Sequence, residues 1–176
     1  MSLIESMIVV VMVAILLTTA IPRFARFLSA HRASAAINDL MHGFAVARNE
    51  ALRRGRRVYI APFDGHWHDG WSVFVDRNDN RVADVGDEVI VVHAALPPSI
   101  TITSTSGSAR EPFTDLGRPQ RPYVMFDGGG YPRQRSGAFN AGGIVVTDRT
   151  GDATTIRSIC LGSYGRARIV DDRSSC

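Results

Sequence analysis

One residue limits this chain more than any other. Glu5 is a carboxylate set inside an apolar stretch, MSLIESMIVVVMVAILLTTAIP, that runs from Met1 to Pro22. From Met7 to Ile21 no side chain is charged, and only Thr18 and Thr19 are polar. As a helix the apolar segment of roughly 21 residues spans about 31 Å, enough to cross the hydrocarbon core of a bilayer. A carboxylate in such a span costs at least roughly 2.5 kcal/mol on insertion scales and is kept where something pairs with it. Two readings follow. In one, the segment is a simple signal anchor with Glu5 at the interface. In the other, preferred here, it is an assembly helix whose carboxylate meets a cation from a neighbouring subunit. A secretory signal peptide fits poorly, because the basic n-region and the small-residue cleavage site are missing.

The stretch resembles the N-terminus of type IV pilins and type II secretion pseudopilins. Those begin, after removal of a leader, with an aromatic or apolar residue, then T/S-L-I-E, then an apolar run ending at proline. Ser2, Leu3, Ile4, Glu5 and Pro22 fall on these positions. The resemblance implies that Glu5 neutralises the amino terminus of the adjacent subunit, which makes Glu5 and Met1 the assembly residues. It also implies a prepilin peptidase as processing partner. Before assembly the protein would sit in the bacterial inner membrane, single-pass, with a periplasmic C-terminal domain. The family usually starts with Phe where this chain has Met1. Either Met1 is the processed terminus or it is a start codon, and the placement of Glu5 favours the first.

All 20 basic residues are Arg, against 17 acids and a net charge of +3. Their distribution says more than their sum. Residues 1–60 hold 8 Arg and 3 acids, residues 61–117 hold 3 and 9, and residues 118–176 hold 9 and 5. Every cation is therefore a planar fork suited to phosphate or carboxylate. The two cysteines, Cys160 and Cys176, lie at the end opposite the anchor, where an oxidising compartment is expected. A bridge between them closes a loop of about 15 residues and adds about 3 kcal/mol in the chain-entropy treatment.

After Pro22, residues Ala33, Ala36, Ile37, Leu40, Met41, Phe44, Ala47, Ala51 and Leu52 recur at spacings of three and four, an amphipathic helix. Pro22 is expected to kink the helix without ending it. Arg53 and Arg54 suit its last turn and Gly55 its C-cap. Gly43 in mid-helix suggests close approach of a strand. From Arg57 the period becomes two, with strands expected at 57–63, 71–76, 88–94, 99–104, 122–126, 143–148, 154–161 and 165–170. Residues 105–121 and 127–142 read as long mobile loops, and Gly128–Gly130 as a flexible turn. The expected organisation is α+β: a transmembrane and assembly half (1–22), an amphipathic half (23–55), and a β-rich domain (56–176) of about eight antiparallel strands packed on the helix.

The run ARNEALRRGRRV, followed by W-x-x-G-W-S-V-F-V-D and N-x-N, narrows the resemblance to the GspH/FimT group of minor pseudopilins. It rests on Ala47, Arg48, Glu50, Ala51, Arg53, Arg54, Trp67, Gly70, Trp71, Phe74, Asp76, Asn78 and Asn80. Membership implies the type IV pilin-like fold and other pilin or pseudopilin subunits as partners.

No nucleophile elbow, P-loop or Gly-rich fingerprint opens a helix, so nothing supports an enzyme or a cofactor. The Asp76–Glu88 loop places Asp76, Asn78, Asn80, Asp84 and Asp87 at calcium-loop spacing. However, Arg81 stands where glycine is wanted, and an Asp/Asn-rich turn explains the same residues. Asp64, His66, His68 and Asp69 read as a solvated hairpin loop with no fixed third zinc ligand. In the basic C-terminal third, alternation puts Arg166 and Arg168 on one face beside Tyr164, which could stack on a base. Arg118, Arg121, Arg133 and Arg135 could converge on the same edge. Such a patch holds a phosphate backbone with little base specificity. G-R-x-R also resembles the motif of DNA-binding FimT-type minor pilins, which implicates Arg166 and Arg168. The alternative is a solvated strand face with these arginines paired to Asp148, Asp171 or Asp172. The function expected is therefore a minor type IV pilin, in or at the tip of a pilus, that binds double-stranded DNA for natural transformation. The alternative is a pseudopilin of a type II secretion system with protein contacts only.

Overall fold

In the computed structural model, the described residues are 3–104, 113, 122–134, 136–148, 156–171 and 176, with the side chains of residues 19, 22 and 104 left aside. A single helix, α1, runs Leu3–Arg54 and passes through position 22 without interruption. Its 52 residues make a rod of about 78 Å. The first half is long and apolar enough to cross a membrane, and none of its most apolar window is buried. Beyond it, the three–four spacing does what it should: Ala33, Ala36, Ile37, Leu40, Phe44, Ala47 and Ala51 are buried. Met41 is half-buried and Leu52 exposed, where the apolar stripe leaves the core. Glu50 accepts from Arg53 and Arg54 in the last turns. The Arg53 and Arg54 hydrogen bonds hold its carboxyl down at about 2. Gly55 closes the helix with φ 61, and the Arg56 N–H donates to the Ala51 carbonyl at 3.3 Å, a Schellman-type cap.

Nine antiparallel strands follow: β1 (Val58–Pro62), β2 (Trp71–Val75), β3 (Glu88–His93), β4 (Ile100–Ser104), β5 (Val124–Phe126), β6 (Pro132–Arg133), β7 (Gly142–Asp148), β8 (Arg157–Leu161) and β9 (Ala167–Val170). They form two sheets, with orders β3-β2-β1-β5-β6 and β4-β7-β8-β9. The strand missing from the sequence reading is β6. It has two residues, begins with proline and lies at a sheet edge, so it carries no alternation to read. Both sheets turn a face to α1 and share one core. Val58, Ile60, Val73 and Phe126 enter it from the first sheet, and Ile102, Ile144, Val146, Ile159 and Leu161 from the second. At Gly43 the helix and the first sheet approach closely. A Cβ there would stand 2.9 Å from Ile60 Cδ1 and 2.9 Å from Trp71 Nε1.

The first sheet also has a smaller outer cluster, Tyr59, Ala61, Phe74, Tyr123 and Met125, with Ala83 of the Asp76–Glu88 loop packed on it. That loop is a cover for this face. The Tyr59 hydroxyl donates to Asp79 at 3.3 Å, and the Arg81 guanidinium lies 5.7 Å from the Tyr123 ring centroid. Burial first, then the Asp79 and Asp76 charges, push the Tyr59 phenol up to about 12.

Candidate nucleic-acid interface

Of the residues proposed from sequence, Arg133, Tyr164, Arg166 and Arg168 are described, and they lie on or beside two turns that meet over the C-terminal part of α1. The β5–β6 turn is built by Asp127. Its carboxylate accepts the N–H groups of Gly129 and Tyr131 at 2.9 and 3.0 Å, and Arg133 Nε at 3.0 Å. The Gly130 N–H donates to the Asp127 carbonyl at 2.8 Å. Burial alone would raise the Asp127 carboxyl. The hydrogen bonds from Tyr131, Arg133 and Gly129 outweigh it and hold the group below the usual range. The three-glycine run is thus a pinned turn, not the flexible one expected.

The β8–β9 turn, Gly162 to Arg166, closes through Gly162 N–H to the Arg166 carbonyl at 3.0 Å. Gly165 closes the turn with φ +74, and a Cβ there would stand 2.2 Å from the Gly130 carbonyl oxygen. Only glycine combines that backbone with that contact. Arg48 of α1 fastens both turns. Its Nε donates to the Gly130 carbonyl at 3.1 Å and its Nη2 to the Tyr164 carbonyl at 3.4 Å. The glycine of G-R-x-R is therefore a packing residue.

The arginines of the motif behave differently from those of the facing turn. Arg168 pairs in register with Cys160, and Ala167 with Leu161. Ala167 packs against the core, so alternation turns Arg166 and Arg168 outward together, and both are exposed. Among the described residues, no carboxylate is within ion-pair distance of either. Of the acids named as alternative partners, Asp171 binds Arg157 at 3.3 Å and Asp148 accepts the Ser29 hydroxyl. Asp172 lies outside the described residues. Tyr164 stands beside them, 76% exposed. Arg133, by contrast, is spent on the fold. Besides Asp127 it donates Nη1 to the Gly137 carbonyl at 3.1 Å and lies 4.2 Å from the Phe139 ring centroid. Arg118, Arg121, Arg135 and Met1 lie outside the described residues. Cys160 and Cys176 are joined, Cα to Cα 5.2 Å, which ties the chain's last residue to β8.

Sequence reasoning did not assign Arg48, Asp127, Tyr131 or Phe139 to this site. Asp127 had a local signal, since Asp-Gly before a strand is turn chemistry. The others meet only through the fold.

The calcium-spaced residues bond to one another and to backbone N–H groups of their own loop. Asn78 and Asn80 both give their side-chain N–H groups to Asp84, at 2.8 and 2.6 Å. With the Gly86 N–H, these bonds hold the Asp84 carboxyl below its ordinary value, Asn78 contributing most. Asp76 accepts the Asn78 and Arg81 N–H groups, and Asp87 those of Arg77 and Asp84. Among the described residues no three His, Cys, Asp or Glu side chains are grouped to hold a metal ion. His66 lies between two 3-10 turns, Phe63–Gly65 and Trp67–Asp69, and His68 within the second, with Trp67 buried between the histidines.

Comparison with known proteins places this geometry. A family model described as Type II transport protein GspH matches residues 36–170. Among solved structures, the Pseudomonas aeruginosa type IV minor pilin FimU aligns with a TM-score of 0.60 at 16% identity, covering 85% of this chain and 96% of that one. The minor pseudopilin EpsH of the Vibrio cholerae type 2 secretion system aligns with a TM-score of 0.52 at 10% identity, covering 79% and 96%. At these identities the likeness is one of fold. No curated protein sequence matches the chain.

Proposed function

The chain belongs to the GspH family and is a pilin-type subunit, and from that premise we propose that it is a minor type IV pilin that binds double-stranded DNA without sequence preference. The observation that carries this reading is the outward pair Arg166 and Arg168, which meets no described carboxylate and sits beside the exposed Tyr164. Two guanidinium forks on one face suit consecutive phosphates, and binding of this kind gains its free energy from counterion release. The place is apt as well. The turns rest on Arg48, about 64 Å along α1 from Glu5, so the surface lies far from any membrane or filament core that holds the apolar half. In this reading the chain is anchored in the inner membrane, processed by prepilin peptidase, and then inserted into or at the tip of a pilus that takes up DNA for transformation. Glu5 pairs with the amino terminus of the next subunit.

A gel shift of the full chain in detergent tests the surface. Retardation of duplex DNA should occur at low salt and vanish at high salt. It should also vanish in Arg166→Ala/Arg168→Ala. Retardation that survives both would remove these residues from the site. The second reading is a purely structural pseudopilin of a type II secretion system. It is favoured by the fate of Arg133 and Arg157, which serve internal ion pairs. It predicts no DNA binding at any salt.

A further inference from the structure

The strand form of the nucleic acid follows from the rings around the arginines, and this step rests on the DNA-binding reading above. Three aromatic side chains from three connections, β5–β6, β6–β7 and β8–β9, stand in a row at the surface. Phe139 and Tyr131 meet edge to face with centroids 6.4 Å apart, and so do Tyr131 and Tyr164. They are 46%, 37% and 76% exposed. Single exposed rings are ordinary, but a contiguous row beside cations is not. The guanidinium of Arg133 covers the inner part of the row, 4.2 Å from Phe139 and 5.7 Å from Tyr131. Tyr164 ends the row, and no guanidinium among the described residues lies over it.

A duplex hides its base faces in the stack and offers phosphates and groove edges. An unpaired strand offers phosphates and base faces together. Arg166 and Arg168 can take the first and Tyr164 the second at the same time, since all three lie within five residues of one turn. Aromatic–base stacking adds about 1–3 kcal/mol per base and tolerates any sequence. The turn that carries Tyr164 is already locked by Gly165 and Arg48, so presenting the ring costs little ordering on binding. We infer that this surface prefers single-stranded over double-stranded DNA, with phosphates on Arg166 and Arg168 and an unpaired base stacked on Tyr164 against the edge of Tyr131.

The test is fluorescence anisotropy of the full chain in detergent at one fixed salt concentration, with a thymidine-only single strand and a duplex of equal length. The single strand should bind about tenfold more tightly. Tyr164→Ala should weaken single-strand binding about tenfold and duplex binding much less, which erases that preference. Tyr164→Phe, which keeps the ring, should retain it. Equal affinity for the two forms would overturn the inference and leave the phosphate surface standing, as would a Tyr164→Ala variant that weakens both alike. Failure of the unsubstituted chain to bind either form would overturn the inference together with the reading beneath it, and would mark the Tyr–Arg row as a protein contact.

Discussion

The β5–β6 turn and the β8–β9 turn face each other across the Gly130–Gly165 contact, and they hold the same residue types: glycine, tyrosine and arginine. They use them in opposite ways. On the first turn the cation is locked, with Arg133 tied to Asp127 and laid over Phe139. On the second the cations are presented, with Arg166 and Arg168 facing solvent. The difference lies in the partner residues. Asp127 supplies a carboxylate at the first turn, and nothing comparable is described at the second. Composition alone therefore says little about which arginines are available to a ligand.

The contact between the turns is the first place to break this arrangement. Gly165→Ala adds a Cβ at a left-handed φ against the Gly130 oxygen and should cost about 3–4 kcal/mol, the largest effect expected. Thermal unfolding of the full chain in detergent would show it, and an unchanged midpoint would mean the turns are not packed as described. Removing the disulfide by Cys160→Ser with Cys176→Ser should cost about 3 kcal/mol. Hydrogen exchange should rise at residues 160–171 and stay constant at 127–133. Equal loosening of both turns would contradict the division drawn here.

Asp127→Asn should cost about 1–2 kcal/mol through the lost ion pair and weakened turn bonds, and leave DNA affinity within about twofold. The same carboxylate gives a pH dependence. Its native value is depressed, so its contribution is complete above about pH 4, the unfolded value, and is lost as pH falls through the native one. The acid limb of the unfolding curve should flatten in the Asn variant. The smallest stability change belongs to Arg166→Ala/Arg168→Ala, within about 0.5 kcal/mol, although that variant should lose DNA.

Much of the architecture was legible because its signals are periodic. The three–four spacing of Ala33 to Ala51 marks the buried stripe of α1, and alternation marks eight of the nine strands. Alternation also assigns Arg166 and Arg168 to one face. It names a face but not a neighbour, so the split into two sheets and the pairing of β1 with β5 stayed hidden. The aromatic row stayed hidden for the same reason, since Tyr131 and Tyr164 are far apart in sequence and meet only through Gly130 and Gly165. The Asp76–Glu88 loop allowed two readings from sequence, a calcium loop and an Asp/Asn-rich turn. Side-chain oxygens that bind calcium are the same ones that accept backbone N–H groups in a tight turn, and here the turn takes them.

The contrast between locked and presented arginines is tested most directly by the salt dependence of DNA binding, measured on the full chain and on two variants. Each arginine that holds a phosphate contributes about one unit to the slope of log affinity against log salt. Arg166→Ala should lower that slope by about one, while Arg133→Ala leaves it unchanged. A slope that falls with Arg133→Ala and stays constant with Arg166→Ala would show that the turns have been assigned the wrong way round.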